Sequence, residues 1–232
     1  MSPLDLRYVR PVHPLRFDAS DPEWDMGQSD RHVAFCFLLR ELLLRAVGEG
    51  STVGIDQFVF WDARNAKKKC APDAFIKLGV KHDPDRDSWR TWEAGAPELC
   101  IEVLSRSDHE KLTLDEKLAR FHALGTSEVV VFDVDAPEGS RLRVWDRVDG
   151  DLIERVVEGE RTPCRTLGLY FVLAPFEQRP VALRLARDAD GRDLLPSARE
   201  GERIAAQRSQ AAERRVAELE ATVSELTREK DG

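Results

Sequence analysis

Apolar positions change period several times along the chain. Between residues 31 and 47 they recur at helical spacing, with Val33, Phe37, Leu38, Leu42 and Leu44 to Ala46 on one wide face. Ser29 or Asp30 is placed to cap that helix and Gly48 to end it. The pattern then turns β-branched and aromatic. Residues 52–61 and 73–80 read as strands, and 98–104 as a short apolar strand with Glu102 as its internal charge. A second helix is predicted over about 108–124, stopped by Gly125. Residues 128–134 form a near-continuous apolar run of the kind that fills a buried central strand. Residues 141–147 and 152–157 flank Asp149-Gly150, which predicts a hairpin, and 167–173 is a further strand. The order is that of an α/β domain, a mixed sheet core flanked by helices.

The two ends differ from this middle. Residues 1–28 carry Pro3, Pro11, Pro14 and Pro22 without periodicity and read as an irregular N-terminal arm. The predicted domain covers 29–195. From Ala198 onward proline vanishes, and Val216, Leu219, Val223 and Leu226 repeat at 3-4-3 spacing. That is an a/d seam of about two heptads. Upstream the d positions hold Ala205 and Ala212, but the a positions hold Glu202 and Ser209. Residues 198–232 are therefore read as a helical tail, either a short coiled coil that pairs two copies or a solvated helix.

Composition narrows the classes. At 232 residues the chain fits one domain plus an appendage. No apolar run approaches the roughly 18 residues that span a bilayer, and residues 1–10 lack a secretory apolar core. Cytoplasmic residence is expected, with no membrane partner. Cys36, Cys70, Cys100 and Cys164 are scattered without a CxxC pair, so neither a zinc ribbon nor a redox motif is signalled. Cys36 and Cys100 lie in apolar runs and read as small buried hydrophobes. The net charge of −8 argues against binding nucleic acid through a broad basic face. The segment 199–232 holds seven basic and eight acidic side chains, so most of the excess acid belongs to the domain and its arm.

Two acids stand out. Asp73 follows Pro72 where a strand begins, and Glu102 lies inside CIEVLS. A carboxylate within an apolar strand is costly unless paired, hydrogen-bonded or bound to metal. If the two strands are neighbours, both carboxylates can meet in an oxygen-rich site for a hard cation such as Mg2+. Lys117, beside the apolar stripe Leu114, Leu118 and Phe121, can reach back over the strand end with its long stem. There it would position water or offset developing charge. Each residue also has an ordinary reading: a turn aspartate, an edge glutamate, a surface lysine.

Taken in order, the segments resemble a known family. Ser29-Asp30-Arg31-His32, Asp56 to Trp61, Ala71-Pro72-Asp73, Trp92 to Pro97, Ile101 to Ser105, Glu116-Lys117-Leu118 and Phe121 to Gly125 are similar to the Uma-two family of restriction-endonuclease-like proteins. That family lies within the PD-(D/E)XK nuclease superfamily, and the resemblance covers roughly residues 24 to 175. It implies a restriction-endonuclease-like fold and a metal-dependent endonuclease acting on DNA with Mg2+ or Mn2+. Asp73 and Glu102 would be the metal-binding acids and Lys117 the catalytic lysine. One position departs from the pattern: two residues after Glu102, where the superfamily usually has its lysine, stands Leu104. Lys117 is then a migrated lysine, with Lys111 the second choice.

Other residues carry weaker expectations. His32 reads first as a helix-start residue and second as a polar contact near the site. Glu41 can approach the metal or pair with Arg45, and Asp56 is a sheet-surface acid or an outer contact. Lys67-Lys68-Lys69 is a charged loop tip or a phosphate contact. His109 and His122 have no ligand-spaced partner. A homodimer through the tail is expected. The alternative function is a catalytically silent protein of the same fold that serves as a nucleic-acid or protein interaction module.

Overall fold

The computed structural model describes residues 8–9, 30–104 and 113–230. The chain divides into two compact units, Met1–Leu195 and Pro196–Gly232.

The first unit is built on a seven-stranded mixed sheet. In chain order its strands are β1 (Tyr8–Val9), β2 (Thr52–Gly54), β5 (Ala74–Lys77), β7 (Leu99–Leu104), β8 (Glu128–Asp133), β9 (Leu142–Val148) and β10 (Asp151–Arg155). They lie side by side as β1-β10-β9-β8-β7-β5-β2. Only β7 and β8 run parallel; the other neighbours are antiparallel. A parallel pair needs a crossover, which here contains helix α3 (Leu114–Leu124). β7 and β8 are covered on both faces and are buried almost throughout, which is why both read as apolar runs.

Side chains alternate across this sheet, and the two faces have different covers. Ala74, Ile76, Leu99, Ile101 and Val103 face a core shared with helix α1 (Asp30–Val47), through Phe35, Leu38, Leu39, Leu42 and Leu43. The same core takes Phe171, Leu183 and Leu185 from a three-stranded sheet of β11 (Arg161–Cys164), β12 (Leu169–Phe176) and β13 (Arg179–Ala186). Phe75, Cys100, Leu104, Val129 and Val131 face the opposite core, closed by Leu118, Phe121 and Leu124 of α3. Val59 and Trp89 join it from a small sheet of β3 (Val59–Phe60), β4 (Lys69–Cys70) and β6 (Trp89–Arg90). A one-turn helix, α2 (Thr91–Ala94), follows β6.

Several expectations are corrected in detail. The single strand over 52–61 is two strands, because Asp56 adopts a left-handed φ of 46° between them. Gly54 pairs with Phe75 across β2 and β5, and a Cβ there would collide with the Phe75 ring. Phe37 is not on the buried face of α1: it is 66 % exposed, and Phe35, Leu39 and Leu43 take that role. β11 and β13 were not foreseen, since charges at Arg179 and Arg184 interrupt the apolar pattern of β13. The N-terminal arm contributes β1 as an edge strand on β10, and the rest of it lies outside the described residues.

The second unit holds helix α4 (Ala198–Lys230), unbroken over 33 residues. Ser197 and Glu200 form a reciprocal cap at its start: the Ser197 N–H donates to the Glu200 carboxylate at 2.7 Å and the Glu200 N–H to the Ser197 hydroxyl at 3.3 Å. Val216, Leu219 and Val223 are exposed along it.

Candidate active site

The site gathers where the β5–β7 ladder ends. The last paired residues in that direction are Ala74 and Ile101. Asp73 and Glu102 come next on their strands, so the two acids that stand out in the sequence occupy facing ends of one ladder. Both are buried, at 6 % and 4 % exposure. The Asp73 carboxylate continues the ladder in place of backbone: the Val103 N–H donates to its Oδ2 at 2.6 Å. Its other oxygen, Oδ1, stands 3.1 Å from His32 Nε2. His32, in the first turn of α1, is itself buried. The helix-start residue of the sequence reading is thus a direct contact of Asp73. Cys36, one turn further along α1, is buried beside it. One ligand atom from each of His32, Cys36 and Asp73 lies within 4.8 Å of the other two.

Glu102 projects towards the α3 side of the sheet. There the Lys117 ammonium donates to its Oε2 at 2.6 Å. Local structure fixes that reach. Thr113 caps α3 and accepts from the Glu116 N–H, while Glu116 accepts from the Thr113 N–H, a full capping box. Gly125 in the left-handed region ends the helix. Lys117 therefore sits in the first turn of a helix clamped at both ends, and its stem spans back to the strand while its side chain stays 20 % exposed.

The electrostatics of the neighbourhood are mixed in sign. The Cys70 thiol is pushed well above its usual range, chiefly by burial and also by the nearby Glu102 carboxylate, while Arg120 and Lys117 pull it the other way. The Cys100 thiol is raised by burial, against a hydrogen bond with Thr126.

The remaining candidates separate. Lys67 and Lys68 are exposed, with Lys68 3.2 Å from Asp62, and the Lys69 ammonium lies 4.6 Å over the Phe58 ring. His122 stands 3.4 Å from Asp151, away from the acids. His109 and Lys111 lie outside the described residues.

Two buried carboxylates thus stand at the end of one ladder, Asp73 beside an imidazole of α1 and Glu102 on a lysine of α3. Comparison gives the chain a family. The family model described as "Putative restriction endonuclease" (Uma2) matches residues 24–174, and the chain belongs to that family. A solved structure from Anabaena variabilis ATCC 29413, titled a putative nuclease belonging to DUF820, is similar at 14 % identity and a TM-score of 0.42, covering 62 % of this chain and 76 % of that one. No curated protein matches.

Proposed function

We propose that this protein is a divalent-metal-dependent endonuclease that hydrolyses phosphodiester bonds of DNA. The observation that carries the proposal is the seat of Lys117 on Glu102 at 2.6 Å, with Asp73 at the facing strand end. It supplies the lysine that Leu104 cannot, in the arrangement the family resemblance implies. The donor chemistry suits the cation: Asp73 and Glu102 are buried carboxylates, and Mg2+ and Mn2+ prefer such hard oxygens. Asp73 and Glu102 would hold it, and when bound it would neutralise phosphate charge and act as a Lewis acid.

The chain's own groups divide the remaining work. The Val103 N–H holds one oxygen of the Asp73 carboxylate, and the His32 imidazole stands beside the other. Glu102 holds the Lys117 ammonium at the site's edge, where it orients the attacking water and offsets charge developing on the phosphate. Lys67 and Lys68, on the loop leading to Asp73, contact backbone phosphates outside the cleaved bond. With an acidic domain around it, such a site grips DNA locally and depends on the cation to do so. We take residues 29–195 as the nuclease domain.

Two copies pair through the α4 stripe of Val216, Leu219 and Val223, which are 55 %, 50 % and 61 % exposed at a/d spacing. Among the described residues no helix is long and apolar enough to cross a membrane, and none of the four cysteines forms a disulfide.

The test is incubation of supercoiled plasmid with the purified full chain and Mg2+ or Mn2+. Nicked or linear product that disappears on chelation and in Asp73→Ala supports the proposal. Intact plasmid across both metals, or cleavage undiminished in Asp73→Ala, overturns it.

A further inference from the structure

We propose that His32, Cys36 and Asp73 form a second kind of metal site, one that takes a thiophilic divalent cation such as Zn2+. It goes beyond the nuclease reading and stands whether or not the protein cleaves DNA.

The geometry begins with α1. Residues four apart on a helix share a face, so His32 and Cys36 present an imidazole and a thiol to the same side. Both are buried, at 5 % and 4 % exposure. That face meets the end of β5, where Asp73 supplies a carboxylate, and all three ligand atoms lie within 4.8 Å of one another. His32 Nε2 and Asp73 Oδ1 are 3.1 Å apart, close to the roughly 3.3 Å between two ligand atoms on a tetrahedral ion with bonds of about 2.0 Å. The third corner falls to Cys36, whose Sγ lies within 4.8 Å of both atoms.

Support from behind is already built. The Val103 N–H at 2.6 Å pins one Asp73 oxygen and leaves the other aimed at His32. Metal-binding carboxylates are oriented by such outer contacts. Three protein ligands leave a fourth position for water or an anion, the pattern of reactive rather than purely structural zinc sites.

Donor identity sets the ion. Thiolate and imidazole favour Zn2+ and Co2+, whereas Mg2+ favours oxygen. Among the described residues no other three such side chains converge.

The experiment titrates metal-free full chain with Co2+, which reports a bound thiolate through a ligand-to-metal charge-transfer band. We expect the band to saturate at one equivalent, to bleach on adding Zn2+ and to resist excess Mg2+. Glu102→Gln keeps the band; Cys36→Ser loses it and binds Zn2+ at least about ten-fold more weakly. Because Cys36 is a core position, the native chain provides a second reading: Zn2+ slows alkylation of Cys36, mapped by mass spectrometry, by ten-fold or more. No band at excess Co2+, a band unchanged in folded Cys36→Ser, or equal Cys36 alkylation with and without Zn2+ overturns the site. Loss of DNA cleavage in Mg2+ with the cobalt band intact would instead count against the nuclease reading alone.

Discussion

Two buried ionic clusters occupy the same sheet and differ in their cations. Towards the β1 edge, Arg155 has a side chain with no exposure and lies between Asp146 and Glu128, which are equally buried. Its Nε donates to Asp146 at 2.8 Å, its Nη2 to Glu128 at 3.0 Å and its Nη1 to Thr162 at 3.1 Å, with Pro163 O as a further acceptor. Glu128 also accepts from the backbone of Arg165 and Thr166 and from the Thr166 hydroxyl. Burial works against the guanidinium charge, yet the hydrogen bond and charge of Asp146, with Glu128 after it, raise Arg155 above its ordinary value. At the β5–β7 end, Asp73 and Glu102 are also buried, but their partners are His32 and Lys117. A guanidinium keeps its proton at any working pH and fixes several acceptors at once. Imidazole and ammonium can move, titrate and be displaced. The first cluster ties β8, β9 and β10 to β11. The second pairs its acids with groups of the kind the proposed chemistry needs.

That contrast can be broken by substitution, and the largest expected effect lies in the structural cluster. Arg155→Met strands two buried acids and should lower unfolding free energy by about 3–5 kcal/mol, read by urea denaturation. An Arg155→Met chain of native stability would remove the distinction. In the other cluster, Glu102→Gln should reduce cleavage by more than the roughly hundred-fold that outer-shell changes produce. It should alter stability by only about 1 kcal/mol, because Lys117 is exposed enough to turn to solvent. Lys117→Met should slow single-turnover cleavage by about 10²–10⁴-fold while leaving DNA binding nearly intact, measured by filter binding in Ca2+. Thr113→Ala removes the capping box that places Lys117. It should cost about 1 kcal/mol of stability and a smaller loss of rate than Lys117→Met.

The smallest effect is one of pH. Unfolded thiols ionise near their ordinary value of 9.0, whereas those of Cys70, Cys100 and Cys164 stay protonated well above it when folded. The stability from keeping them neutral is therefore full below about pH 9 and declines as pH rises further. Thermal melts from pH 8 to 10 should show that decline flattened in a Cys100→Ala chain.

The acids of the candidate site were legible because a charge inside an apolar strand is anomalous. Glu102 in LCIEVL and Asp73 after proline announce themselves, and the register of β5 on β7 brings them to one ladder end. Lys117 was less sharply legible: helical spacing places it beside the buried stripe within reach of the strand end, and the resemblance adds the role of a migrated lysine. The sequence offered the polar contact of His32 only as a second reading, because its meeting with Asp73 depends on how α1 crosses the sheet. The Arg155 cluster was invisible for a similar reason. Its members stand at strand ends and beside a hairpin, where charges are ordinary, and only β11 folding back over them buries the group. The broken strand at Asp56 was missed because a left-handed residue leaves no mark on apolar periodicity.

The most direct test of the distinction between the clusters is plasmid cleavage by Glu102→Gln set beside its own urea denaturation curve. We predict a chain that unfolds at nearly the native midpoint and leaves supercoiled DNA intact in Mg2+ and Mn2+, under conditions in which the native chain cleaves it. Native-level cleavage by that variant, or a collapse of its stability as large as that of Arg155→Met, would contradict the assignment of Glu102 to chemistry rather than to architecture.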